Sequence, residues 1–374
     1  MPSARLSGAP RPEDSASRLH GIDVARGLAV LGMMAAHVGI RDDFDFASPD
    51  TWLGVVDGRS SILFATLAGV SIALMSGRTR PLAGDDLVRV RLRILIRAVV
   101  IFAIGGLLTM LATPVGVILE FYAVMFALSL PFLRVHPRQL FALAAAFALL
   151  APLVDLLLVE RLDQSVLQES VIVELVVTGQ YPVLIWLTFV FTGLGIGRLD
   201  LTSARIQGAL VVAGTLLAMV GYSFGVFTSR ALAALPEADL IFTVEPHSGS
   251  VFEVVGSGGF AMAVLGLCLW ATDRLRPVLF PLEATGAMAL TAYTLHIVAI
   301  AALLPSVGPR ELEVSDNSLY LAFLFVTLAA ATVWRLTLGV GPLERALTWL
   351  TRRAAPGAPP RPSPRVPLSP PVSD

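Results

Sequence analysis

Three ionisable residues share one face of the first apolar segment, and their types suit anion binding and proton transfer. Asp23 and Arg26 are neighbours at i and i+3 of a helix, and the steps from Arg26 to His37 amount to about three turns. A rise of about 1.5 Å per residue separates Arg26 from His37 by roughly 16 Å. Arg26 can bind a phosphate, and a histidine, which titrates near neutrality, suits a general base. The alternative is a buried Asp–Arg pair that fixes packing.

Other polar side chains in apolar segments extend the set of candidates. His296 lies midway along a later segment, where it can be catalytic or can hydrogen-bond to a neighbouring helix. Glu120 is a lone acid in another segment, so it is either paired or in contact with a substrate. Arg89, Arg93 and Arg97 recur every four residues as a basic stripe. That stripe predicts either a topology anchor or a site for a phosphorylated cofactor.

Two polar segments add substrate-contact candidates, and both are predicted to lie on the side of a membrane opposite to the start of the first apolar segment. Asp57, Arg59 and Ser60 open the second apolar segment, and the backbone N–H groups at a helix start favour an anion. His247 lies in the polar segment before the eighth helix and is a second candidate for catalysis or substrate contact. Helix capping is the alternative explanation for the serines of these segments.

The composition indicates an all-α polytopic membrane protein. Of 374 residues, 55% are hydrophobic and 15% are charged, whereas soluble domains carry roughly a quarter charged residues. Runs of about 20 apolar residues recur, and each can cross a bilayer as a helix. A net charge of −1 gives no indication of nucleic-acid binding. The absence of Lys excludes a Walker A loop and a lysine Schiff base, and the single Cys268 allows neither an internal disulfide nor a cysteine zinc site, so no metal is predicted.

About ten transmembrane helices are predicted, with both termini cytoplasmic. The predicted ranges are 22–40, 58–77, 92–112, 115–133, 139–158, 180–197, 206–228, 251–271, 282–304 and 318–340. This arrangement places 20 Arg on the inner side and 5 on the outer side, as the positive-inside rule requires. The Arg-only, Ala/Leu/Val-rich composition is compatible with a GC-rich bacterium, which predicts the plasma (inner) membrane.

Three regions follow from this arrangement. Residues 1–21 are predicted to form a cytoplasmic leader, because they are long, polar and Arg-containing, unlike a cleaved signal peptide. Residues 22–353 form the transmembrane bundle. Residues 354–374 contain eight Pro in 21 residues and are predicted to be a disordered cytoplasmic tail.

The opening of the chain resembles the membrane acyltransferase superfamily, which includes the heparan-α-glucosaminide N-acetyltransferases and the acyltransferase-3 proteins. The resemblance lies in residues 18–33, where Asp23 precedes Arg26-Gly27. Later segments are similar to the bacterial YeiB-like proteins, and these lie at residues 181–186, 193–200, 286–293 and 341–344. Together the motifs span nearly the whole predicted bundle.

The resemblance implies transfer of an acetyl or other acyl group from cytosolic acetyl-CoA to an acceptor outside the cytoplasm, a sugar or another hydroxyl or amine compound. In that setting Arg26, Arg93 and Arg97 hold the CoA phosphates, and the pantetheine arm lies along the face that carries Met33. His37 is the expected catalytic group, as in the acyltransferase-3 proteins. Asp23 and His296 are the other two catalytic candidates. The family's N-acetyltransferase branch has a loop histidine that has no counterpart here, since no histidine lies between His37 and His136.

Two other classes of function stay open at the level of the sequence. A transporter or exporter of a small or lipid-linked molecule would use Asp23, Arg26 and Glu120 as a relay. A non-catalytic membrane scaffold would need these residues only for folding. The expected partners are the lipid bilayer, a CoA thioester and the acceptor, and a homodimer stays open as well.

Overall fold

The computed structural model describes residues 19–40, 42, 45, 47–163, 166, 167, 170–232, 242–304 and 316–355. Every regular element in these ranges is helical. Most of the predicted leader and nearly all of the predicted Pro-rich tail lie outside the described residues, so both stay predictions.

Eleven helices longer than ten residues make up the described chain. They are α1 His20–Val38, α2 Arg59–Met75, α3 Gly84–Thr109, α4 Leu119–Ser129, α5 Pro137–Arg161, α6 Val183–Gly197, α7 Ala204–Ala231, α8 Val251–Ala287, α9 Ala289–Leu303, α10 Ser318–Thr337 and α11 Pro342–Ala354. A 3₁₀ helix, Pro49–Val56, precedes α2, and a short helical segment, Val171–Thr178, precedes α6.

The protein is a multi-pass membrane protein. In the described ranges, α1, α3, α5, α7, α8, α10 and the segment Thr51–Met75 make seven spans long and apolar enough to cross a bilayer. An eighth span results if Val171–Thr178 and α6, which meet at 56°, cross together. The helices α4 and α9 are apolar but shorter. Each of the ten predicted spans therefore contains a helix, although α4 and α9 are too short to cross a membrane unaided.

The predicted break between the eighth and ninth spans is shorter than predicted and is followed by a second one. A kink at Leu275 (φ −119°, ψ 23°) divides α8 into two helical parts inside the predicted connection 272–281, and the second part continues to Ala287. Pro277 lies in the first turn after the kink, where a missing N–H removes no helical hydrogen bond. The second break, at Met288 (φ −127°, ψ 40°), divides the predicted helix 282–304 between α8 and α9.

The core is formed by α1, α2 and α6, while α5 and α10 expose most of their apolar surface. Since water cannot drive helices together inside lipid, close packing of small residues must hold them. Gly69 of α2 and Gly193 of α6 provide this contact: a Cβ on Gly193 would lie 1.8 Å from the Thr66 carbonyl oxygen. The two backbones can approach this closely only because both positions lack a side chain.

Two carboxylates, of which Glu283 is buried, join helices at the end of the bundle where α1 begins. Glu283 of α8 lies 2.6 Å from Nδ1 of His20, and Arg276 Nε donates to it at 3.1 Å. Glu344 of α11 accepts from the backbone N–H and the hydroxyl of Thr291, at 3.0 and 2.6 Å. The second contact connects two of the segments that are similar to the YeiB-like proteins.

The sequence analysis did not predict α11. This helix is amphipathic, with Leu347 buried and Trp349 exposed. Arg93 of α3 donates to the Ala355 carbonyl at 3.0 and 2.9 Å, which satisfies a backbone acceptor just beyond the helix end. The composition of α11, with its many charged residues, is typical of a polar connection. Pro342 at the first helical position is nevertheless a signal for the start of a helix.

Gly193→Ala should destabilise the bundle by at least about 2 kcal/mol, because the added Cβ would push α6 away from the Thr66 carbonyl. Gly208→Ala is the matched control: a Cβ there meets nothing within 4 Å, so the change should be neutral or stabilising by up to about 1 kcal/mol. The free energy of unfolding in mixed micelles measures both. Equal stability of the two variants would contradict the packing described for α2 and α6.

Candidate functional site

Two histidines from distant parts of the chain meet between α1 and α9. Nδ1 of His37 lies 2.9 Å from Nε2 of His296, and the two ring planes are within 8° of each other. His296 is 3% exposed, and His37 is half-buried. A hydrogen bond between two imidazoles needs one ring to donate and the other to accept, so the pair shares one proton along this contact. The sequence analysis named both residues but had no basis for pairing them.

Two buried tyrosines line a cavity inside the bundle, and one of them, Tyr293, also contacts the histidine pair. The Tyr293 ring meets the His296 ring edge-on at 5.1 Å, and its hydroxyl accepts from the Ile118 N–H at 3.2 Å. The Tyr122 hydroxyl donates to the Ser61 carbonyl at 3.0 Å. Both tyrosines line the cavity, and the sequence analysis selected neither of them as a site residue. Their hydroxyls fix α4 against α2 and α9.

The cavity has a volume of about 310 Å³ and carries two arginines. Arg26 enters from α1, Arg97 from α3 and Glu344 from α11, while the other walls are mainly apolar and aromatic. Arg26 donates to the buried Asp23 carboxylate at 2.8 Å and to the Ser71 hydroxyl at 2.7 Å. The predicted Asp23–Arg26 pair therefore exists, and it orients the Arg26 guanidinium at the cavity wall. Arg97 adds a second positive charge.

The other two predicted cofactor residues lie elsewhere. Arg93 binds the carbonyl of Ala355, and Met33 is packed in the core. Among the residues that the structure describes, the walls of the cavity include neither of them. Of the predicted arginine stripe, only Arg97 belongs to the cavity wall, and Arg93 is instead bound to the carbonyl just beyond the end of α11.

Arg59 and Ser60 hold the start of α2. Arg59 Nε donates to the Tyr222 hydroxyl at 2.7 Å, and the guanidinium carbon lies 4.8 Å from the centre of the same ring. The Tyr222 hydroxyl in turn lies 2.8 Å from Ser257 Oγ. Ser60 donates to the Val56 carbonyl at 2.8 Å. These contacts join α2, α7 and α8 at the end of the bundle where α1 ends.

Glu253 is a buried acid that the sequence analysis missed. Its carboxylate accepts from the backbone N–H of His247 at 2.8 Å and of Gly249 at 2.7 Å, and from the Ser248 hydroxyl at 3.2 Å. Ser250 caps α8 by accepting from the Glu253 N–H at 3.0 Å. The pattern Ser250-x-x-Glu253 is a helix-start signature, so the sequence did contain a signal for this residue.

His247 is held in an unusual backbone conformation, with φ at 63°. Its ring stacks on Trp186 with the planes 11° apart and meets Tyr181 edge-on at 5.3 Å. The Glu253 contacts and these rings together fix the segment before α8 over α6.

Glu120 and Asp57 occupy different places. Glu120 lines a separate opening of about 300 Å³ with Glu174, Gln180 and Tyr181, and Thr109 donates to it at 3.4 Å. Asp57 lies at the junction of the 3₁₀ helix and α2, where its carbonyl accepts from the Arg59 N–H at 2.7 Å. The segment that carries Asp57 and Arg59 lies beside the segment before α8, since a Cβ on Gly58 would lie 3.0 Å from Pro246 Cβ, whereas Glu120 lines its own opening. In the ranges that the structure describes, no group of three His, Cys, Asp or Glu is placed to hold a metal.

Two family models together match almost the whole described chain. "Heparan-alpha-glucosaminide N-acetyltransferase, catalytic" matches residues 18–227. A family described as a protein of unknown function, DUF418, matches residues 203–354. Among curated proteins, none matches the chain. The two matches confirm the resemblance predicted from the sequence motifs.

Glu253→Ala should destabilise the protein by about 3 kcal/mol and expose the segment before α8 to proteases, because three donors would lose a buried acceptor. Glu245→Ala removes an exposed acid from the same segment and serves as the control. Thermal unfolding and limited proteolysis in detergent measure the two effects. Equal protease resistance of the two variants would contradict the role assigned to Glu253.

Proposed function

The chain belongs to the heparan-alpha-glucosaminide N-acetyltransferase catalytic family, and from this membership we propose that it transfers an acetyl group from cytoplasmic acetyl-CoA to an acceptor across the membrane. The observation that carries the proposal is the placement of two sites along α1. Arg26 lies in the cavity wall near the start of α1, and His37, paired with His296, lies near its end. The acceptor is a hydroxyl or amine compound.

The proposed topology has ten spans with both termini in the cytoplasm of a bacterial cell. The distribution of Arg supports it, because 20 of these residues fall on the inner side in that arrangement. The Arg26 cavity then belongs to the cytoplasmic half of the bundle, and the histidine pair belongs to the outer half. The membrane is the plasma membrane.

The cavity suits the acetyl-pantetheine part of the donor. At about 310 Å³ it lies at the small end of the range of about 300–1,000 Å³ for ligand pockets, too small for the whole donor. Its apolar and aromatic walls match an uncharged arm. Arg26 and Arg97 offer guanidinium groups, which pair with phosphate oxygens more strongly than neutral donors do. Acetyl-CoA supplies the thioester whose cleavage drives the transfer.

The histidine pair supplies the proton transfer. His37 takes the proton from the acceptor hydroxyl or amine as its oxygen or nitrogen attacks the thioester carbonyl, so that a C–O or C–N bond forms and the C–S bond breaks. His296, hydrogen-bonded to His37, stabilises the positive charge that this proton creates. The imidazolium then protonates the CoA thiolate, which restores the pair. General base catalysis of this kind typically contributes about 10²–10⁴-fold.

Arg97→Ala should weaken acetyl-CoA binding roughly 10- to 100-fold, because a charge-assisted hydrogen bond contributes about 1.5–3 kcal/mol. Arg89→Ala is the control: Arg89 lies on the same helix, pairs with Asp86 at 2.7 Å and is not part of the cavity wall. Calorimetry on the purified protein in detergent measures both affinities. No saturable binding to a folded, monodisperse wild-type sample would reject the proposed donor.

His37→Ala and His296→Ala should each lower the transfer rate by about 10²–10⁴-fold and leave the Kd for acetyl-CoA unchanged. Because the two rings act as one unit, the double variant should be no slower than the slower single variant. The assay follows CoA thiol release with glucosamine as the probe acceptor, and His136→Ala, at the start of α5, is the control. Independent, multiplying losses in the double variant would show that the two histidines do not act together.

A further inference from the structure

A second opening, between α9 and α10, leads from the lipid-facing surface to the histidine pair. It has a volume of about 250 Å³, and His296 forms part of its wall. Leu295 and Ala299 line it from α9, and Val326 and Ala330 line it from α10. We call this opening the α9–α10 groove. It shares no lining residue with the cavity that contains Arg26, so the two openings are separate.

The mouth of the groove faces hydrocarbon. Leu295 and Val326 are 60% and 66% exposed, and both lie in apolar helices of the bundle. Only 11% of the apolar stretch of α10 is buried inside the bundle, so this helix borders lipid over most of its surface. From this mouth to His296, which is 3% exposed, the groove runs from the bilayer into the protein.

The lining of the groove is suited to an alkyl chain. Its hydroxyl groups are already engaged, since Thr291 binds Glu344 and Thr327 contacts the sulfur of Met34 at 3.7 Å. The remaining walls are mainly aliphatic and aromatic, and His296 is the one ionisable residue among the described lining residues. Water or a charged ligand would gain no hydrogen bonds along most of the groove, whereas a hydrocarbon chain loses nothing by leaving the lipid.

The position of His296 along the groove indicates which end of a bound alkyl chain lies beside the histidine pair. Met288 and Pro342 line the end nearest α11, and Ala299 lines the other end. Met288 and Ala299 are separated along the helical path by roughly 16 Å. His296 lies in the third of this length nearest Ala299, and His37 lies beside it. A chain in the groove therefore brings the polar group at its outer end to the histidine pair.

We propose that the acceptor is a membrane lipid whose hydrocarbon chain lies in the α9–α10 groove and whose head group carries the hydroxyl or amine that is acetylated. This inference rests on the proposed function and adds the class of acceptor. The chemical step is the one already described: the head-group oxygen or nitrogen loses its proton to His37, bonds to the acetyl carbon and displaces the CoA thiolate, which is then protonated.

The test uses a dodecyl glucosaminide with a photoreactive diazirine in its chain, added to the purified full-length protein in phospholipid nanodiscs. The wild type should be labelled saturably on groove residues that are shielded from bulk lipid, including His296. Ala330→Phe fills the groove and should reduce this labelling at least about tenfold. Ala329→Phe is the matched control, because Ala329 is an exposed neighbour on α10 outside the groove wall.

Equal labelling of the two phenylalanine variants, or labelling confined to exposed faces, would overturn the proposal. Acetyl-CoA binding to Ala330→Phe should equal that of the wild type, so loss of groove labelling is separable from loss of the donor. If acetyl-CoA fails to bind the wild type, the proposed function fails, whereas the photolabelling still reports whether the groove takes a chain.

A second experiment follows the transferred acetyl group. Membranes that contain the wild type, given radiolabelled acetyl-CoA, should place the label in the lipid extract, and Ala330→Phe should lose most of it while Ala329→Phe keeps it. Transfer of the label to a water-soluble product in the wild type would overturn the lipid acceptor and leave the acetyltransferase assignment intact.

Discussion

The structure depends on the high cost of placing ionisable groups inside an apolar bundle. Unpaired, such a group costs several kcal/mol, so each buried charge needs a partner, and each partner belongs to another element or another turn. Asp23 holds Arg26, Thr291 holds Glu344, and the segment before α8 surrounds Glu253. These pairings therefore also fix how neighbouring elements pack against one another.

This pairing explains how two ends of one helix serve one reaction. α1 is held near its start by the contact of Arg26 with Ser71 of α2, and near its end by the contact of His37 with His296 of α9. Tyr293, one turn before His296, reaches both the histidine pair and the cavity wall. The proposed donor site and the proposed acceptor site thus lie on opposite sides of Tyr293.

The sequence predicted the individual site residues better than their contacts. Helical periodicity identified the face that carries Asp23, Arg26 and His37, because those positions lie within one element. It did not pair His37 with His296, 259 residues away, since periodicity within a helix does not say which neighbour that helix meets. Arg93 and Arg97 looked equivalent as members of one stripe, yet Arg93 binds the carbonyl just beyond the end of α11, whereas Arg97 lines the cavity beside Glu344 of the same helix.

The predicted helix ends were least accurate where local sequence signals competed with packing. Pro277, Pro281 and two nearby arginines are typical of a connection, and the kink at Leu275 does separate two helical parts there, but both prolines lie within the second part. The second break, at Met288, has no proline to mark it. Glu253 was missed for a different reason: it lies among apolar residues at a helix start, and its role is visible only once the preceding segment folds back over it.

The contribution of α11 to the cavity has a practical consequence for how the protein is handled. Glu344 and Leu347 form part of a wall that is otherwise built from the bundle, and the helix ends beside the carbonyl that Arg93 binds. An affinity tag or reporter fused directly after Ala355 would crowd that contact, and a truncation before Pro342 would leave one side of the cavity open. Fusions should therefore follow Asp374 or a long spacer, so that α11 keeps its contacts with the cavity wall.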